Sequence, residues 1–286
     1  MVTFQNVFYV YNKKSPLEHE ALHDVSLQIK DGSFTALVGR TGSGKSTLVQ
    51  HINALFQPSS GSVNVNGYEN KAKVKHKGKE ILELRKNVGL VFQFPENQLF
   101  EETVEKDVAF APKNFGIAEK TALDQAHEAL EMVGLGSEFY TRSPFDLSGG
   151  EKRRVAIAGV LAFKPSILVV DEPTAGLDPL GGAEMMNLFK KVHENGTTVI
   201  LVTHDMSLVL SYCDSVIVME DGKVAEISTP HELFSQDLDK YSLEIPPFYR
   251  LVRRLNEKGA GIDPNAVRNL DELAAVLAKK KGLQGK

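Results

Sequence analysis

Gly39-Arg40-Thr41-Gly42-Ser43-Gly44-Lys45-Ser46-Thr47 is the stretch whose reading decides the fold. It fits G-x-x-x-x-G-K-[ST], in which glycines let the chain curl until successive backbone N–H groups point at phosphate oxygens. The flanks are the ones this mechanism requires. Phe34 to Val38 reads as a short buried strand, and after the loop Leu48, Ile52, Leu55 and Phe56 recur at the spacing of a helical face that Pro58 ends. Such a helix aims the positive end of its dipole at the loop. On this reading Gly39 to Thr47 cradles the phosphates of a nucleotide, Lys45 bridges the β- and γ-phosphates, and the Ser46 hydroxyl sits on Mg²⁺.

Working outward, Ile167 to Val170 is an apolar strand that runs into two carboxylates, Asp171 and Glu172. A strand ending in acidic residues means little alone, but beside the Lys45 loop it supplies the other half of a nucleotide site. Asp171 would hold Mg²⁺ through water, and Glu172 would polarise the attacking water. Strand-like runs also occur at Val2 to Tyr11, Leu22 to Ile29, Gly61 to Val65, Val88 to Phe92, Val199 to Val202 and Val216 to Met219. Between Phe94 and Pro144 the pattern turns helical, with Leu123, Ala126, Leu130 and Val133 on one face that stops at Gly134. Further helices start near Gly149 and run through Met185 to Val192.

This alternation predicts an α/β fold with a mostly parallel core sheet, an antiparallel β subdomain and an α-helical subdomain over about 94–160. We expect a main domain over 1–238 and a helical extension over 239–286. Within the extension, Pro246-Pro247 reads as a breaker. Asp263-Pro264 reads as the start of a helix whose stripe is Val267, Leu270, Leu273 and Leu277, ending in Lys279 to Lys281.

Composition narrows the class. In 286 residues, 42% hydrophobic and 24% charged describe a folded chain rather than a disordered one. The net charge of −4 lacks the positive field that non-specific nucleic-acid binding needs, so no nucleic-acid partner is expected. The single cysteine, Cys213, closes no intrachain disulfide and fits a reducing compartment. No apolar run approaches the ~18 residues of a membrane-spanning helix, and the start of the chain lacks the basic region of a signal peptide. Lys71, Lys73, Lys75, Lys77 and Lys79 alternate around His76, which reads as a solvated face or mobile hairpin rather than a lipid contact.

Leu147-Ser148-Gly149-Gly150-Glu151, with its serine 24 residues before Glu172, resembles the signature sequence of ATP-binding cassette (ABC) ATPases. The resemblance covers Val2 to Phe234, and the remaining family motifs follow in order: Gln93 in Val91-Phe92-Gln93, Asp178 in Gly176-Leu177-Asp178-Pro179, and His204 in Val202-Thr203-His204-Asp205. It implies that two cassettes face each other. ATP on one Lys45 loop would be closed by the Ser148-Gly149-Gly150 helix terminus of the other cassette, with Asp178 pairing across the dimer. Gln93 would touch Mg²⁺ or the lytic water while its loop senses a membrane protein. His204 would hydrogen-bond the γ-phosphate. Tyr11 resembles the aromatic that stacks on adenine, with Tyr9 as the alternative.

Phe92-Gln93-Phe94-Pro95-Glu96-Asn97-Gln98-Leu99-Phe100 is similar to the stretch found in ATPases of energy-coupling factor transporters, the second of their two ATPase types. Gly39-Arg40-Thr41, Asn114-Phe115-Gly116-Ile117 and the C-terminal extension, a dimerisation tail in that group, point the same way. The resemblance implies an ATP hydrolase on the cytoplasmic side of the cell membrane, held there peripherally. Its partners would be a related sister ATPase, a transmembrane coupling subunit and a membrane substrate-binding subunit for vitamins or metal ions. Another ABC importer is the alternative. A soluble ABC protein of DNA repair or translation would carry a long coiled coil, a second cassette or a basic surface; the first two are absent and the net charge gives no hint of the third. A GTPase would carry N-K-x-D, to which Asn12-Lys13-Lys14-Ser15 comes nearest.

One position departs from the family, which commonly has Gln where this chain has Glu151. A unit charge pair ~8 Å apart at ε ≈ 20 is worth roughly 2 kcal/mol, so a carboxylate aimed at the triphosphate would oppose closure, and Glu151 is expected to point away.

Overall fold

Ten strands form two sheets among residues 1–74 and 78–280, which the computed structural model describes. Strands β1 (Val2–Tyr11) and β2 (His19–Ile29) open the chain, and β3 (Phe34–Val38) leads through the Gly-rich loop into helix α1 (Lys45–Ile52). Then come β4 (Ser60–Val65), β5 (Tyr68–Lys71), α2 (Gly78–Asn87) and β6 (Val88–Val91). Three helices follow in a cluster, α3 (Val104–Asn114), α4 (Glu119–Met132) and α5 (Gly149–Leu161). The chain returns through β7 (Ile167–Asp171), α6 (Pro179–Glu194), β8 (Thr198–Val202), α7 (Met206–Tyr212), β9 (Ser215–Glu220), β10 (Lys223–Ser228) and α8 (Pro230–Ser235). Helices α9 (Pro247–Glu257) and α10 (Leu270–Lys280) close it.

The larger sheet has the order β10-β9-β3-β8-β7-β6 and is parallel except for the β10 edge; the smaller, β2-β1-β4-β5, is antiparallel throughout. All five residues of β3 are buried, as a central parallel strand covered on both faces requires. Strand alternation sorts its side chains. Phe34, Ala36 and Val38 face a core shared with α3 to α6, whereas Leu37 faces α1 and the inner surface of the antiparallel sheet, including Val2, Phe4 and Val63. Because β3, β6, β7 and β8 run parallel, the residues following them, the Gly-rich loop, Gln93, Asp171-Glu172 and Thr203-His204, emerge along one edge.

The structure differs from the sequence expectation at several places along the chain. Helix α1 stops at Ile52, because the Asn53 side chain accepts from the Leu55 amide and Ala54 turns left-handed at φ 52°. Leu55 is therefore exposed, and Phe56 stacks on Tyr9. The lysine-bearing stretch holds the end of β5 and the start of α2, neither of which its alternation suggested; Lys75, His76 and Lys77 lie outside the described residues. Pro246-Pro247 begins a helix instead of ending one, since proline at the first helical position has no N–H to lose. Leu270 is 65% exposed, so the stripe of α10 starts at Leu273, which joins Val252, Ile262 and Val267 in a small cluster of their own. Leu238, Leu243 and Tyr249 meanwhile pack into the main core.

Candidate nucleotide site

The phosphate loop is shaped by two glycines that nothing else could replace. Gly39 has φ 141°, and a Cβ there would lie 2.1 Å from the Met219 carbonyl oxygen; Gly44 has φ 97°, and a Cβ would lie 2.7 Å from that of Ala21. The loop wraps its own lysine. Lys45 Nζ donates to the carbonyls of Gly39 and Arg40 at 2.7 and 2.8 Å. Burial lowers the pKa of this ammonium, while Glu172 and Asp171 pull it back up. Ser43 Oγ is buried in the loop with no hydrogen-bond partner among the described residues, which suits a loop built to meet phosphate oxygens. Below it, His51 of α1 donates from Nδ1 to the Thr47 carbonyl at 2.7 Å, and burial takes its pKa down to about 4.

The carboxylates arrive from β7. Asp171 Oδ2 accepts from the Ser46 hydroxyl at 3.4 Å, and burial, with the neighbouring Glu172 charge, raises the Asp171 pKa. Glu172 sits in the left-handed region at φ 47°, held by its N–H donating to the Val202 carbonyl at 2.9 Å. That conformation puts Oε1 2.8 Å from His204 Nδ1 and Oε2 3.5 Å from the Thr203 hydroxyl. Glu172 is largely buried, whereas the His204 side chain is 81% exposed, so the pair reaches from the sheet edge into solvent.

A cavity of about 490 Å³ gathers these groups: Tyr11, residues 41–47 except Ser43, Gln93, Asp171, Glu172 and His204 line it. Tyr11 donates to or accepts from the Thr47 hydroxyl at 3.0 Å. Tyr9 instead packs against Phe56 and His51 and lies outside the cavity, so geometry favours Tyr11 for the aromatic role. The Ser46 hydroxyl, the Asp171 carboxylate and the Gln93 amide are a hard, oxygen-rich set with few protein ligands, which fits Mg²⁺ completed by phosphate and water rather than a softer metal. A second cavity of about 790 Å³ lies across the same loop, lined by residues 39–41, Lys45, Glu172 and residues 204–207, and on its far wall by residues 242–247. Nothing in the sequence signalled that last segment.

The remaining expected residues lie elsewhere. Ser148 caps α5, its hydroxyl accepting from the Glu151 amide at 3.3 Å while the Glu151 carboxylate accepts from the Ser148 amide at 2.8 Å. This reciprocal cap lowers the Glu151 pKa. Glu151 thus folds back onto the helix start, where two otherwise orphaned amides are satisfied. Ser148, Gly149 and Gly150 are exposed and line neither cavity. Asp178 caps α6 by accepting from the Gly181 amide at 2.7 Å, and it too lines neither cavity.

Residues 22–175 match the family described as ABC transporter. The chain belongs to the ABC transporter family. Among its relatives is the energy-coupling factor transporter ATP-binding protein EcfA2 of Spiroplasma kunkelii, 48% identical over 98% of this chain and 92% of that protein. EcfA2 of Ligilactobacillus salivarius is 55% identical over 87% of each. Among solved structures, cbiO1 from Clostridium perfringens, part of the ABC transporter complex cbiONQ, is 36% identical with a TM-score of 0.73 over 89% of this chain and 94% of that one. The ATP-binding cassette MJ0796, in a dimeric post-hydrolysis state bound to ADP and Pi, is 32% identical with a TM-score of 0.70 over 80% of this chain and 99% of that one. The fold is that of an ABC ATPase, and the enzymatic class is ATP hydrolysis.

Proposed function

We propose that this chain is the ATP-hydrolysing subunit of an energy-coupling factor importer, taking up vitamins or metal ions. The observation that carries the reading is a site complete on one side only. Lys45, Asp171, Glu172 and His204 converge on one cavity, while the capped terminus of α5 faces solvent with its two glycines unobstructed. The family name shared by relatives at 48–55% identity supports the transporter.

In this mechanism the loop amides and Lys45 hold the triphosphate, and Tyr11 offers its ring to the base. Mg²⁺, when bound by Ser46, Asp171 and Gln93, supplies charge neutralisation at the phosphates. Glu172 accepts the proton of the attacking water, and His204, hydrogen-bonded to that carboxylate, holds it in place and meets the γ-phosphate. Ser148, exposed at the start of α5 with its hydroxyl in the cap with Glu151, is the group offered to a partner's γ-phosphate. The partner we favour is a related cassette, with residues 239–286 serving dimerisation beyond a cassette of 1–238.

Among the described residues no helix is long and apolar enough to cross a membrane. Phe94, Phe100 and Phe110 are exposed beside the Gln93 loop, the last two edge-to-face at 4.6 Å, and offer an apolar seat for a transmembrane coupling subunit. Solubilised membranes test the reading. Purification through this chain is expected to bring a transmembrane subunit and a second cassette with Mg²⁺-dependent ATPase activity; recovery of a lone soluble dimer active on nucleic acid would contradict it.

A further inference from the structure

Among the described residues, the most buried charge outside the cavity belongs to Arg153, on the second turn of α5, with its side chain 3% exposed. Its Nε and Nη2 donate to the two carboxylate oxygens of Glu96, each at 3.0 Å. Its Nη1 donates to the Ala175 carbonyl at 2.9 Å and the Pro173 carbonyl at 3.4 Å. One guanidinium therefore joins three segments: α5, the turn that follows Gln93, and the turn that follows Glu172.

Both turns are anchored at residues in left-handed backbone. Phe94, next to Gln93, has φ 54° and ψ 57°, and Glu172 has φ 47°. Non-glycine residues hold that conformation only where the surroundings enforce it. Arg153 supplies enforcement on both sides, gripping Glu96 two residues beyond Phe94 and the carbonyls one and three residues beyond Glu172. The guanidinium also lies 5.7 Å from the centre of the Phe94 ring, and that ring in turn packs near Gly176, where a Cβ would lie 3.5 Å from it. The Glu172 turn closes on itself through the Ala175 amide donating to the Glu172 carbonyl at 3.1 Å. A planar fork thus connects Glu96 to the turn that begins at Glu172, whose Oε1 lies 2.8 Å from His204 Nδ1.

We propose that Arg153 is a positioning residue that locks the Gln93 loop to the Glu172 turn, so that displacement of the first by a docked partner sets the aim of the second. The proposal rests on the ATPase reading above and names a coupling element within it. Lysine cannot replace the fork, since its single ammonium cannot hold two carboxylate oxygens and two carbonyls at once.

The test uses the full chain in its assembled complex, with ATPase kinetics, equilibrium ATP binding and melting temperature measured on the same samples. Arg153→Lys is expected to lower kcat by about tenfold while the ATP dissociation constant stays within about twofold, the size of loss a small misplacement produces. Glu96→Gln, which keeps the shape, is expected to lower kcat by about fivefold, and the double variant to be no worse than Arg153→Lys alone, because both act on one link. Wild-type kcat in either single variant, or loss of kcat and ATP binding in parallel, would overturn the proposal. If Arg153→Lys does not fold, Glu96→Gln decides alone: wild-type kcat there refutes the link. A wild-type complex without ATPase activity would instead refute the functional reading.

Discussion

The phosphate loop and the start of α5 are both helix N-termini with glycines and a hydroxyl side chain, yet they differ in what surrounds them. The first is ringed by side chains from β1, β7 and the turns after β6 and β8, so that cation, carboxylates and histidine meet in one cavity. The second has Ser148, Gly149 and Gly150 in solvent, satisfied only by its own Glu151. A helix N-terminus attracts anions in either setting, but only the first has a base and a metal set beside it. On the function proposed above, one half performs the chemistry and the other would serve as a lid for a site on another cassette.

The strongest way to break this contrast is to remove chemistry from the first half and see whether the second compensates. Glu172→Gln is expected to cut ATP turnover by about a thousandfold, within the usual range for loss of a general base, while ATP binding is kept; equal steady-state rates for variant and wild type would show that the base lies elsewhere. Lys45→Ala should weaken ATP binding by about a hundredfold, on the order of 3 kcal/mol for a charge-assisted contact, as read by calorimetry.

The floor of the first half also has a pH signature. His51 is neutral when folded, with a pKa near 4 against an ordinary 6.5, so the unfolded chain binds a proton that the folded one refuses. Its contribution to stability is complete above about pH 6.5 and declines as pH falls toward 4, by about 3 kcal/mol in total. Urea titrations should show a smaller loss of stability between pH 7 and 4.5 in His51→Leu than in wild type; identical slopes would place the titrating group elsewhere. The smallest effect is expected on the lid. Glu151→Gln retains the reciprocal cap in neutral form and should change turnover by less than tenfold, under about 1.4 kcal/mol of barrier. A larger change in the ATPase rate would mean that the carboxylate itself faces the partner's triphosphate.

Features written in contiguous residues were legible from the chain. The glycines at 39 and 44, the strand into Asp171-Glu172 and the helix start at Ser148 each follow from local chemistry, and the alternation of strands and helices placed their ends together. Features made between distant segments were not. Arg153 and Glu96 are 57 residues apart, and nothing near either names the other. The wall formed by residues 242–247 depends on how the tail returns across the sheet edge. Strand β10 has no clear sequence pattern because its edge position buries no full face, and the cap that holds Glu151 competes with charge in ways spacing alone does not reveal.

On the proposed function, the exposed start of α5 closes a triphosphate held by another cassette. A photoactivatable residue in place of Gly149, where a side chain meets open space, can be irradiated in the purified complex with and without ATP and Mg²⁺ and the products sequenced by mass spectrometry. The account requires an ATP-dependent adduct on the Gly-rich phosphate loop of a second cassette polypeptide; adducts confined to the same chain, or independent of nucleotide, would contradict it.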